Sequence, residues 1–97
     1  MSEDEYLDEN FGETPVEIPV NGILDLHTFS PRDVKDLVPA YLDECLKRGI
    51  TEVRIIHGKG KGVLRRIVRA ALDRYPGVAS YGYGDSWGVT VVTLEKR

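Results

Sequence analysis

His27 and His57 are the only two imidazoles in this chain of 97 residues, and each closes an apolar run, LDLH at 24–27 and VRIIH at 53–57. Asp25 precedes His27 by two residues, the spacing that puts two side chains on one face of an extended strand. A carboxylate beside an imidazole orients the ring for general acid–base work near neutral pH. An Asp within an aliphatic run is costly unless it has a donor, which a histidine N–H or a backbone amide can supply. Taken singly, each of the three has a plainer reading, as a polar strand end or a carboxylate satisfying loop amides. Their joint placement favours chemistry.

The hexapeptide HGKGKG at 57–62 adds a second kind of chemistry. Gly58, Gly60 and Gly62 let backbone amides approach and converge on an anion. Lys59 and Lys61 bring charge, and a helix following directly would offer its free amides and positive dipole end at the same place. The stretch reads as a phosphate-binding loop. It is not a Walker A sequence, which needs four residues between its glycines and a closing Lys-Ser/Thr; a tight turn alone would also explain the glycines.

Positioning these residues requires a strand before each histidine. The chain supplies TEVRII, a helical stripe from Val34 to Leu46 that starts at Ser30-Pro31 and stops at Gly49, and a second helix over 63–75 ended by Pro76-Gly77. Pro39 lies within the first helical stripe and is expected to kink or divide it. Strands are expected over 78–83 and 89–94. VEIPV and ILDLH flank Asn21-Gly22, a pairing suited to a type I′ hairpin, with Pro19 confining the first arm to a sheet edge. The expected architecture is α/β: a two-layer sandwich whose mixed sheet follows β-α-β-α-β-β order plus an N-terminal edge strand, with helices packed on the sheet. Strands 23–26 and 53–56, joined through a helix, should lie parallel and adjacent, bringing both histidines to one rim, where open α/β sheets bind ligands.

Charge is unevenly distributed along the chain. The formal net charge is −3, yet residues 1–17 hold seven acids and no Lys or Arg. Residues 54–74 hold seven cations against the single acid Asp73. Arg65, Arg66 and Arg69 lie off the apolar stripe of the second helix, and a solvated face would normally interleave acids there. This is the footprint of a polyanion site. Residues 1–14 read as an acidic, disordered arm and 15–97 as one domain. Trp87 is either a base-stacking residue or a partly buried loop anchor. The lone Cys45 falls within the helical stripe and reads as a buried structural thiol. No apolar run approaches a membrane span or a signal peptide, so the expected compartment is the cytoplasm, without a membrane partner.

LDLH at 24–27, IIHGKGKGVLR at 55–65 and GVTVVTL at 88–94 resemble the Smr (small MutS-related) domain over about residues 20–97. Leu24, Asp25, Leu26 and His27 match the LDxH motif; His57, Gly58 and Gly60 match HGxG. The resemblance implies an α/β sandwich similar to the carboxyl-terminal domain of a bacterial translation initiation factor. It also implies nucleic-acid binding and, often, nicking endonuclease activity, in proteins that stand alone, are fused to mismatch-repair-type ATPases, or act on mRNA at stalled ribosomes. Partners by resemblance are DNA or RNA and the ribosome or repair machinery. Two places depart from the family pattern: Thr28 follows LDxH where glycine is common, and Asp85-Ser86-Trp87 replaces a glycine-rich approach to the last strand.

Two functions follow. In the first, an endonuclease uses Asp25, His27 and His57 for acid–base chemistry while Gly58, Lys59, Gly60, Lys61, Gly62, Arg65, Arg66 and Arg69 hold phosphates. Asp25, His27 and His57 could alternatively ligate a divalent metal such as Mg, although three ligands without a fourth leave the cofactor unassigned. In the second, a DNA- or RNA-binding module uses the basic loop and helix without cleavage. A small-molecule phosphate enzyme is disfavoured, because the positive charge extends beyond one phosphate.

Overall fold

The computed structural model describes residues 18–58, 60 and 62–96. Six elements follow in order: β1 (Ile23–Asp25), α1 (Pro31–Lys47), β2 (Glu52–Ile56), α2 (Val63–Arg74), β3 (Val78–Tyr83) and β4 (Val89–Leu94). They form a four-stranded mixed sheet of order β1-β2-β4-β3. β1 and β2 are parallel, with Leu24 opposite Ile55 and Asp25 opposite Ile56. β4 runs antiparallel to both β2 and β3. The carboxyl ends of β1, β2 and β3 and the start of β4 therefore share one rim.

Alternation along the strands divides the sheet into two faces. Leu24, Leu26, Val53, Ile55, Val92 and Leu94 are buried and meet Val34, Val38, Leu42 and Cys45 of α1 and Val68 and Leu72 of α2. Residues of opposite parity, Ile23, Asp25, Arg54, Ile56 and Val91, are exposed or half-buried. The molecule is thus a two-layer α/β sandwich with one sheet face carrying the core. Cys45 sits in that core, where burial pushes its thiol pKa up and leaves it inert.

Several local expectations change. Ile18–Val20 form no strand, so the N-terminal edge strand is absent there; Val16 and Glu17 lie outside the described residues, as does the acidic stretch 1–15. The Asn21-Gly22 turn is not type I′, since Gly22 has φ +94° while no non-glycine residue among those described has positive φ. Asn21 Oδ1 instead accepts the Ile23 amide at 2.9 Å, and the Gly22 carbonyl takes the Arg54 amide at 2.7 Å. The turn feeds a parallel ladder with β2 rather than a hairpin. Tyr41 secures it from α1, its hydroxyl accepting the Gly22 amide at 3.1 Å.

Helix α1 continues unbroken through Pro39. The ring removes one i→i−4 bond, while the inner stripe of Val34, Val38, Tyr41, Leu42 and Cys45 stays buried on both sides of it. Ser30 occupies the N-cap position, yet its hydroxyl donates to Asp33 Oδ2 at 3.0 Å rather than capping an amide. The helix closes as expected at Gly49, whose amide reaches Leu46 O at 3.1 Å while Ile50 N reaches Cys45 O at 2.9 Å, a Schellman motif. Helix α2 ends at Arg74, one residue before the expected Tyr75, because Pro76 follows.

Candidate functional site

Asp25 and His27 form a solvent-facing pair where β1 leaves the sheet. Asp25 Oδ1 lies 2.5 Å from His27 Nδ1 and accepts the His27 backbone amide at 3.1 Å. The two side chains are 49% and 60% exposed. The imidazole hydrogen bond, followed by the backbone one, holds the Asp25 carboxyl below its ordinary value, so it stays ionised and fixes the proton on Nδ1. His27 Nε2 is left as the working nitrogen.

His57 is placed differently. It shares the parity of Val53 and Ile55, is 5% exposed, and has both ring nitrogens engaged. Nδ1 lies 3.2 Å from the Gly58 carbonyl oxygen, which only accepts, so Nδ1 carries the proton; Nε2 then accepts the Thr90 hydroxyl at 2.8 Å. Burial, together with the nearby charges of Arg65 and Arg69, lowers the His57 pKa and keeps the ring neutral.

The lowered pKa gives a pH prediction. The folded state holds His57 below the ordinary 6.5, so the unfolded chain takes up the proton first as pH falls. The stability this residue contributes is therefore present above about 6.5 and lost on acidification below it. The Tm is expected to drop between pH 7.5 and 5.5, and to drop less in His57→Asn. Equal pH slopes in the two proteins would remove His57 as the cause.

A cavity of about 260 Å³ opens at the rim. His27 and His57 make one wall, Gly58, Gly60 and Gly62 the second, and Val63, Leu64 and Arg65 of α2 the third. Its size is below the roughly 300–1,000 Å³ of sites that enclose whole small ligands, and suits one group of a longer ligand. Gly62 is the N-cap of α2 at φ +82°; no side chain caps the helix, and no acid stands in its first turn. The first-turn amides accordingly keep their donor capacity and positive dipole end. A Cβ at Gly62 would lie 2.8 Å from Arg65 Nη2, so glycine here lets the guanidinium fold against the loop. The amides of His57 and Gly58 are not available to a ligand, since both donate to Gly88 O, at 2.8 and 3.1 Å.

Of the other expected phosphate contacts, Lys59 and Lys61 lie outside the described residues. Arg66 is exposed on α2. Arg69 is turned to the aromatic rings of β3, with its guanidinium 5.2 Å from the Tyr81 centroid and 4.5 Å from that of Tyr83. Among the described residues, no three His, Cys, Asp or Glu side chains gather as metal ligands. With both His57 nitrogens engaged, the Asp25–His27–His57 set does not fit a divalent ion, and no chemical step is routed through one. A larger cavity of about 310 Å³ lies between α1 and α2, lined by Pro39, Ala70 and Ala71 among others, away from both histidines. No helix among the described residues is long and apolar enough to cross a membrane.

The sequence model of the Smr domain matches residues 24–95, which contain both histidine motifs, the glycine loop and all four strands except the first residue of β1. This chain belongs to the Smr domain family. The Smr sequence is 42% identical over 76 residues to "Endonuclease MutS2" of Clostridium novyi, a match covering 74% of this chain and 10% of that protein. A second "Endonuclease MutS2", from Caldicellulosiruptor bescii, is 49% identical over 63 residues, or 60% of this chain and 8% of that protein. The Smr domain described here thus corresponds to about a tenth or less of these relatives' length. Among solved structures, the Smr domain of Thermus thermophilus MutS2 superposes with a TM-score of 0.71 at 33% identity, covering 77% of this chain and 99% of that one. YdaL, a stand-alone small MutS-related protein from Escherichia coli, superposes with a TM-score of 0.73 at 25% identity, covering 77% and 65%.

Two residues that depart from the family pattern have structural explanations within this Smr domain. Asp85 pairs with Arg54 at 3.2 Å. Ser86 ties its own turn, its Oγ accepting the Gly88 amide at 3.2 Å and its carbonyl the Val89 amide at 3.2 Å. Sequence reasoning missed the stacking of Arg69 on Tyr81 and Tyr83. The Tyr81 and Tyr83 spacing, two aromatics on one strand face opposite a basic helix, was the available signal.

Proposed function

We propose that the β1–β2 rim binds nucleic acid and that Asp25 and His27 cleave its phosphodiester backbone. The observation that carries this reading is the exposed Asp25–His27 pair beside a cavity walled by the glycine loop and the uncapped start of α2. His27 Nε2 takes the proton of the attacking oxygen, Asp25 holds the tautomer and offsets the imidazolium charge, and the new O–P bond forms as the bond to the leaving oxygen breaks. That oxygen is protonated from solvent. Negative charge building on the phosphoryl oxygens faces Arg65 and the first-turn amides of α2. His57 acts as a positioning residue, joining the loop to β4 through Thr90. The word "endonuclease" in the names of the MutS2 relatives agrees with this assignment.

A non-catalytic binding module is the second reading, favoured by the sequestered His57, which leaves one acid–base pair rather than two. Incubation of the purified chain with supercoiled plasmid and with RNA, each with and without chelator, separates the two. Nicked plasmid or shortened RNA supports cleavage and identifies the substrate; salt-sensitive binding without any product supports the module.

The acidic sequence of residues 1–14 supplies a further prediction. Removing residues 1–14 is expected to leave the Tm within a few degrees and to tighten nonspecific binding, because that segment's carboxylates compete for the cationic surface. The gain should vanish at high salt. A large drop in Tm would instead make the arm part of the packed domain.

A further inference from the structure

Beyond the Asp25–His27 pair, the rim carries a second feature that cleavage chemistry does not use. Trp87 is 68% exposed and Tyr83 is 56% exposed, and their ring centroids lie 6.2 Å apart with planes inclined at 32°. Large aromatics are seldom left so open on a small domain, and a loop anchor would be buried. The loop that bears Trp87 is nevertheless held in place, by Arg54–Asp85, by the Ser86 turn and by Gly88 O on the amides of His57 and Gly58. Tyr83 is backed by the Arg69 guanidinium, whose buried Nε and Nη2 have no hydrogen-bond acceptor among the described residues. Two buried guanidinium nitrogens without an acceptor are costly, and the faces of Tyr81 and Tyr83 offset that cost. Tyr83 is thus backed on one side, and both rings keep exposed surface.

We propose that Tyr83 and Trp87 form a stacking platform for an unpaired base, so that the ligand of this rim is single-stranded nucleic acid. This rests on the nucleic-acid reading above and specifies its substrate class. A flat aromatic face accepts any base by stacking, but a duplex keeps its base faces covered and cannot offer one without unpairing. Sheet order sets the distance. β3 carries the platform and β1 the Asp25–His27 pair, three strand intervals apart, or about 14 Å at the usual spacing. The glycine loop follows β2, which stands between β1 and β3 in the sheet order, and it lines one cavity with His27 and Arg65. A single strand would set a base on Trp87, lay phosphates along the loop and present a backbone linkage to His27.

Trp87 is the only tryptophan of the chain, so its fluorescence reports stacking directly. The full chain is titrated with decamers of deoxythymidylate and of uridylate, with a duplex of equal length, and with an abasic deoxyribose-phosphate decamer. Binding is followed by anisotropy of a label on the oligonucleotide and stacking by tryptophan emission. Both single strands should quench the emission, and the abasic decamer should bind without quenching. Trp87→Ala should lose roughly tenfold in single-strand affinity, Trp87→Phe should retain most of it, and duplex affinity should change by less than about twofold in either. The ratio of the two single-strand affinities separates DNA from RNA as the source. Saturable binding without quenching, or Trp87→Ala equal to wild type on single strands, would overturn the platform and leave the basic rim standing. Binding to none of the four probes would overturn both.

Discussion

His27→Ala is expected to lower phosphodiester cleavage by ~10²-fold or more while nucleic-acid affinity stays within about twofold, because an imidazole that moves a proton acts in the transition state rather than in binding. Asp25→Asn should fall by a similar factor. The Asp25 carboxylate accepts both the imidazole Nδ1–H and the His27 backbone amide, and the amide replacement removes the charge that stabilises the imidazolium. The double variant should lose far less than the product of the single losses, since partners in one proton transfer are not additive. His57→Ala should behave differently. With Nε2 on the Thr90 hydroxyl and Nδ1 on the Gly58 carbonyl, its removal should lower Tm and weaken binding together with turnover. Single-turnover cleavage, equilibrium binding and thermal melts on the wild type and these four variants distinguish the outcomes. Wild-type turnover in His27→Ala would remove the pair from the mechanism, and multiplicative losses in the double variant would assign Asp25 and His27 separate tasks.

In the sequence analysis the two histidines are grouped at one rim as a single catalytic set, although the strand period already separates them. Val53, Ile55 and His57 share one parity, and the apolar pair commits that face to the core; Leu24 and Leu26 do the same for β1 and leave Asp25 and His27 on the other. The motif spacing draws attention to their common rim, and the period sends their side chains to different environments. The α/β order, the parallel β1–β2 pair and the Gly49 stop were readable for similar reasons, because hydrophobic period and glycine chemistry are local. What was not readable depended on partners far along the chain. The Asn21-Gly22 dipeptide fits a hairpin in isolation, but Gly22 O is taken by the Arg54 amide and its own amide by Tyr41, so tertiary pairing decides the turn. Pro39 breaks helices in isolation, but the stripe of α1 buried on either side holds the helix through it. Arg69 looks like one more cation on a basic face; the Tyr81 and Tyr83 spacing marks an aromatic strand face, but which helical cation meets it is decided by the packing of α2 on β3.

That environment for Arg69 also shapes the expected salt dependence. If Lys59, Lys61, Arg65 and Arg66 neutralise three or four phosphates of duplex DNA, a plot of log K against log [salt] should slope near −3 to −4, about a 100-fold loss of affinity between 50 and 200 mM salt. On a single strand the same contacts should give a shallower slope, near −2 to −3, because counterions are less condensed there. Lys61→Ala should flatten the duplex slope by about one unit if its ammonium meets a phosphate. Arg69→Gln is the informative contrast. Its guanidinium lies on the Tyr83 ring rather than beside the glycine loop, so the slope should change by less than about half a unit while single-strand affinity falls through loss of support beneath Tyr83. A slope close to zero in the wild type would sink the basic rim altogether. A full-unit change on Arg69→Gln would mean that its guanidinium leaves the tyrosines to meet phosphate when nucleic acid binds.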